Sequence, residues 1–83
     1  MLPLKMVESL ERELAERAKR YIKAELRRAD LTYARLAQRL TEMGLPETET
    51  SIAKKISRGG FSAVFFIAVM KALGRASIDL ADL

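Results

Sequence analysis

The sequence contains no cysteine and no histidine. The first absence removes disulfides and thiolate nucleophiles, and the two together remove Cys/His zinc sites and the usual general base near neutral pH. Carboxylates remain, but no pair stands at a spacing or in a setting that suggests tuned acid and base roles. Gly59-Gly60 does not restore an enzyme, because a phosphate-cradling loop needs a fuller glycine pattern after a strand, and this pair follows a helix pattern. No catalytic residue, metal ligand or cofactor is therefore expected. The chain also lacks an apolar run long enough to span a bilayer, a signal-peptide pattern around Pro3, internal repeats and low-complexity tracts. A cytoplasmic protein that does not cross a membrane is the expectation.

What is present is charge, and its placement says more than its total of +4. Residues 1–16 carry Lys5 and Arg12 against Glu8, Glu11, Glu13 and Glu16, whereas residues 17–28 carry Arg17, Lys19, Arg20, Lys23, Arg27 and Arg28 against Glu25 alone. Such a basic block favours a polyanion, or an acidic protein face, largely independently of sequence. It would serve equally as a solubilising helix surface. At 83 residues there is room for one domain with an adequate but not generous core, so dimerisation is a natural supplement.

Periodicity predicts helices throughout. Val7, Leu10, Leu14, Ala18, Tyr21, Ile22 and Ala29 trace a helical stripe from about Met6 to Ala29, as one long helix or two segments, after a frayed Met1–Lys5. Asp30-Leu31-Thr32 reads as a turn, with Thr32 capping a helix Tyr33–Met43 whose inner face is Leu36, Ala37 and Leu40. Gly44 stops that helix and Pro46 lies near the start of the next, which Thr48 or Thr50 caps.

The chain is organised around Thr48–Ser62. Ile52, Ala53 and Ile56 fall on one helical face, and Thr50, Ser51, Lys54 and Arg58 fall on the other. One face docks and the other offers hydrogen-bond donors. Gly59 supplies the positive φ of a helix stop, and Ser62 caps a final helix Ala63–Leu73 that Gly74 ends. That last helix is apolar nearly all round: Phe65, Val69 and Leu73 are expected in the core, and Phe66 and Met70 are open to a dimer contact. The tail Arg75–Leu83 allows a short strand, a single helical turn or an arm. Residues 1–17 read as a helical extension, with Met6–Glu16 a candidate for pairing with another subunit, and 18–83 as the domain proper.

Leu31-Thr32-Tyr33-Ala34-Arg35-Leu36-Ala37 resembles the opening of the helix-turn-helix in the lambda-repressor/Cro-like family, and Ile52, Ile56, Arg58-Gly59 and Lys71-Ala72-Leu73-Gly74 resemble later parts of that pattern. More closely, LTYARLA, the acidic and threonine-rich connector, KISRGGFSAVFF and KALG resemble a family of small bacterial domains of unknown function, over roughly Tyr21 to Leu80. The resemblance implies an all-α domain of four or five helices with repressor-like topology. Two departures stand out: the spacing from Ala37 to Ile52 is about five residues longer than in the standard motif, and Tyr33 stands where the wider family commonly has a phosphate-binding glutamine.

The implied function is a small sequence-specific regulator that binds double-stranded DNA as a homodimer, with helix 48–58 in the major groove. Thr50, Ser51, Lys54 and Arg58 are then the base-contact candidates. Lys55 on the flank, Thr32 and Ser62 at helix N-termini, and Tyr33, Arg27, Arg28, Arg35 and Arg39 are candidates for phosphate. The competing expectation is an adaptor that keeps the fold and binds a protein, suited by the acidic-then-basic first helix and by Glu47 and Glu49 around the long turn.

Overall fold

The computed structural model describes the chain from Leu4 to Leu83, with side chains from Ser9 onward. Four α-helices follow one another: α1 (Leu4–Arg28), α2 (Tyr33–Glu42), α3 (Glu49–Arg58) and α4 (Ala63–Ala72), with a 3-10 turn at Leu80–Asp82. Among the described residues there is no strand. The domain is all-α.

The first helix is one uninterrupted piece, and it passes residues 17 and 18 without a break. Leu4 and Lys5, expected to precede it, belong to it; residues 1–3, and the side chains of Met6 and Val7 in the predicted stripe, lie outside the described residues. Over its second half α1 buries Tyr21, Ile22 and Leu26 against α2, α3 and α4, while Leu10 and Leu14 on its first half are each about half exposed. The rest of the core is Leu36, Ala37 and Leu40 of α2, Ile52 and Ile56 of α3, and Phe65, Val69 and Met70 of α4.

The starts of α2, α3 and α4 each carry a side-chain cap. Thr32 accepts from the Arg35 amide, Ser62 from the Phe65 amide and Thr48 from the Ser51 amide, which decides the choice between Thr48 and Thr50 in favour of Thr48. The helix ends share a second device. After α1, α2 and α4, an amide reaches back five residues to close a Schellman motif: Leu31 N to Leu26 O, Leu45 N to Leu40 O and Arg75 N to Met70 O. Asp30, at φ 52°, holds the left-handed position in the first of these. Helix boundaries thus follow local chemistry, to within one or two residues of the periodicity.

Two expectations for the C-terminal third change. Met70 is buried at 3% exposure in the domain's own core, so it has no surface to offer a dimer. Phe66 is half-buried, and its ring lies 6.2 Å from Tyr21 and 6.1 Å from Phe61, centroid to centroid. The large apolar residues that α4 does expose are Val64 and Ile67. In the tail, Ile78 and Leu83 pack against the core, Asp79 caps the 3-10 turn, and Arg17 Nη1 donates to the backbone oxygen of Leu83 at 3.0 Å.

Candidate nucleic-acid interface

The outer face of α3 follows from what its inner face must do. Ile52 and Ile56 are fully buried, so at about 100° per residue Thr50, Lys54, Ser57 and Arg58 turn outward, and all four are exposed. Glu49, Thr50, Ala53, Lys54, Ser57 and Arg58 line one open groove whose far wall is Tyr33, the first residue of α2. Among the described residues, neither Lys54 nor Arg58 has an ion-pair partner within 4.0 Å, and both are exposed.

Tyr33 also borders a second depression, shared with Lys23, Leu26, Arg27, Asp30, Leu31 and Thr32. The two join at the tyrosine into one surface that carries Lys23, Arg27, Lys54 and Arg58 against Asp30 and Glu49. Three base-contact candidates (Thr50, Lys54, Arg58) and three phosphate candidates (Thr32, Tyr33, Arg27) are thereby brought together from α1, α2 and α3. Arg35, in the first turn of α2, is exposed and lies on neither depression.

The other candidates are placed elsewhere. Ser51 is tied inside the domain: its Oγ accepts from the Thr48 amide at 2.8 Å and donates to Glu47 Oε1 at 2.6 Å. A hydroxyl so committed completes a capping box and has no free donor for a base. Lys55 is likewise engaged within the domain, with Nζ bonded to Glu47 and 5.2 Å from the centre of the Phe65 ring. Arg28 pairs at 3.0 Å with Glu25, on a different face of α1 from Arg27, beside Arg17, Arg20 and the tail. The Ser62 hydroxyl caps α4, away from the groove, and Arg39 Nη1 donates to Ala72 O at 2.9 Å, joining α2 to α4.

The bracing roles of two buried carboxylates escaped the sequence reading. Glu25, with a side chain only 4% exposed, receives Arg28 and Arg75 and so fastens the tail to α1. Glu47, equally buried, receives Ser51 and Lys55. Burial raises the Glu47 carboxyl, but hydrogen bonds from Lys55 and Ser51 and the charge of Lys55 outweigh it and hold the group below its ordinary value of 4.5. A signal for this second constellation was present, since 47, 51 and 55 stand four apart and share a helical face. It was obscured because Glu47 precedes the helix.

Among the described residues, no group of three or more Asp or Glu side chains is placed to hold a metal ion, and no helix is long and apolar enough to cross a membrane. A family model described as a domain of unknown function (DUF6471) matches residues 14–78. The chain belongs to that family. The DUF6471 match contains every core residue from Tyr21 to Met70 and both depressions around Tyr33, while most of the first half of α1 and the 3-10 turn fall outside it. Comparison with curated proteins and with solved structures gives no match.

Proposed function

We propose that this DUF6471 protein is a small DNA-binding regulator of the cytoplasm, in which α2 and α3 act as a lambda-repressor/Cro-like helix-turn-helix and α3 enters the major groove of double-stranded DNA. The reading is carried by the outward face of α3, where Thr50, Lys54 and Arg58 stand free beside Tyr33. Lysine and arginine suit guanine O6 and N7, and threonine suits several base edges or a thymine methyl. Arg27 and Lys23, across Tyr33, then meet the phosphate backbone, and the N-terminus of α2 adds amide donors to it. One copy covers few base pairs, so affinity comes from a homodimer on two half-sites about one helical turn apart.

The test is a titration against a random duplex pool at low and near-physiological salt, beside Lys54→Ala/Arg58→Ala. Binding that survives the higher salt, enriches a two-fold symmetric site and is lost in the variant is the expected result, with each base contact contributing about 1–3 kcal/mol. Binding that is absent, or salt-sensitive and unchanged in the variant, refutes it.

One observation favours the second reading, a protein-binding adaptor. Ser51 and Lys55 are consumed inside the domain, which leaves α3 with two outward cations and Glu49 facing the same groove. An adaptor shows little duplex affinity at physiological salt.

A further inference from the structure

The connector between α2 and α3 is six residues long, Met43 to Thr48, and an unrestrained connector of that length would leave the angle of α3 undetermined. It is fastened along its length. Thr41 Oγ1, on the last turn of α2, donates to Glu47 O at 3.2 Å and accepts from the Glu47 amide at 3.3 Å. The Glu47 side chain then turns to α3, accepting from Ser51 at 2.6 Å and from Lys55 one turn further on. Lys55 Nζ lies in turn over the ring of Phe65, a core residue of α4. Glu47 therefore links the end of α2 through its backbone and two turns of α3 through a carboxylate whose side chain is 4% exposed, and it reaches the start of α4 through Lys55.

From this geometry we infer that Glu47 is the positioning residue of the reading helix: its carboxylate fixes the Ser51–Lys55 edge of α3 to a connector that the Glu47 backbone ties to α2, and so sets which bases the Thr50, Lys54 and Arg58 face can reach. The inference rests on the DNA-binding reading of that face for its second half, and on the contacts alone for its first. Glu47 touches no ligand itself. Its two partners on α3, Ser51 and Lys55, lie on the flank of the helix, and the residues that would touch DNA lie on the outward side. The lengthened turn thus keeps a rigid helix by substituting a buried, charge-assisted brace for the shortness of the standard connector.

Two variants test it. Glu47→Gln keeps the shape and removes the charge, and Glu47→Lys/Lys55→Glu reverses the pair. Amide hydrogen exchange below the unfolding transition is expected to speed up in Glu47→Gln by about tenfold or more across residues 51–58, the low end of a charge-assisted hydrogen bond, with α2 and α4 little changed. The reversed pair is expected to restore protection. In the random-duplex selection, Glu47→Gln is expected to lose its preference for the wild-type site by about tenfold or more while retaining salt-sensitive binding to random duplex, and the reversed pair to recover the preference.

A general stabilising role alone predicts something else: a lower melting temperature with uniform loss of protection and an unchanged site preference. That pattern overturns the inference, as does unchanged exchange in α3. Should the wild type select no duplex at all, the reading role falls together with the proposed function, and the exchange measurement decides the brace by itself.

Discussion

Gly59→Ala would disturb the joint between α1 and α3 in two separable ways. Gly59 sits at φ +73°, where an L side chain costs about 1–2 kcal/mol. A Cβ there would also stand 2.4 Å from Ala15 O and 2.9 Å from Ala15 C. Both are backbone atoms of a helix, so neither can swing aside and α1 would have to move away from the end of α3. Overpacking of that kind costs about 1–3 kcal/mol, and together the effects reach about 2–5 kcal/mol. A chain of this length is stable by roughly 4–12 kcal/mol, so the melting temperature should fall by on the order of 10–30 °C. The control is Gly74→Ala, which has the same φ sign at +74° and nothing within 4 Å, and so reports the backbone cost alone. Circular dichroism melts and urea titrations of both variants measure the difference. If Gly59→Ala is no more destabilising than Gly74→Ala, the close approach of α1 is not a real constraint and the argument for it is refuted.

Asp30→Gly should stabilise the domain by about 0.5–1 kcal/mol, because Asp30 holds φ 52° on an exposed turn and glycine relieves that conformation at some cost in unfolded-chain entropy; a urea midpoint no higher than wild type would contradict this. The pH dependence follows from Glu47, whose carboxyl lies below its ordinary 4.5 in the folded state. Stability from such a group is fully present above the unfolded value and is lost as pH falls through the folded one, so the gap between wild type and Glu47→Gln should narrow below about pH 4.5. A gap that stays constant from pH 6 to pH 3 in urea titrations would argue against the pair. Ser62→Ala should cost about 1 kcal/mol by removing the cap on the Phe65 amide, a change that melting curves resolve whether or not Ser62 ever meets a phosphate.

The boundaries of α2, α3 and α4 were legible in the sequence to within a residue or two because each is written in local chemistry. Thr32, Thr48 and Ser62 cap through amides three residues away, and Asp30, Gly44 and Gly74 end helices through bonds that span six residues. The core of α2 and α3 was legible for a related reason, since Leu36, Leu40, Ile52 and Ile56 are the apolar positions of amphipathic helices. In α4 the same reasoning ran out. A helix apolar all round has no periodicity to read, and only packing could assign Met70 to the core and Val64 and Ile67 to the surface.

The polar residues divide along the same line. Composition and spacing alone determined that the outward face of α3 carries Thr50, Lys54 and Arg58, because a helix with Ile52 and Ile56 inside must turn those positions out. Tertiary structure decided that Ser51 and Lys55, neighbours of that face in sequence, belong to Glu47 instead. It decided too that Arg27 joins the α3 surface while Arg28, one residue and about 100° further on, turns to Glu25 and the tail. A charge's helical position sets the direction in which it leaves the backbone, but its partner arrives from another part of the chain, and no local pattern records that arrival.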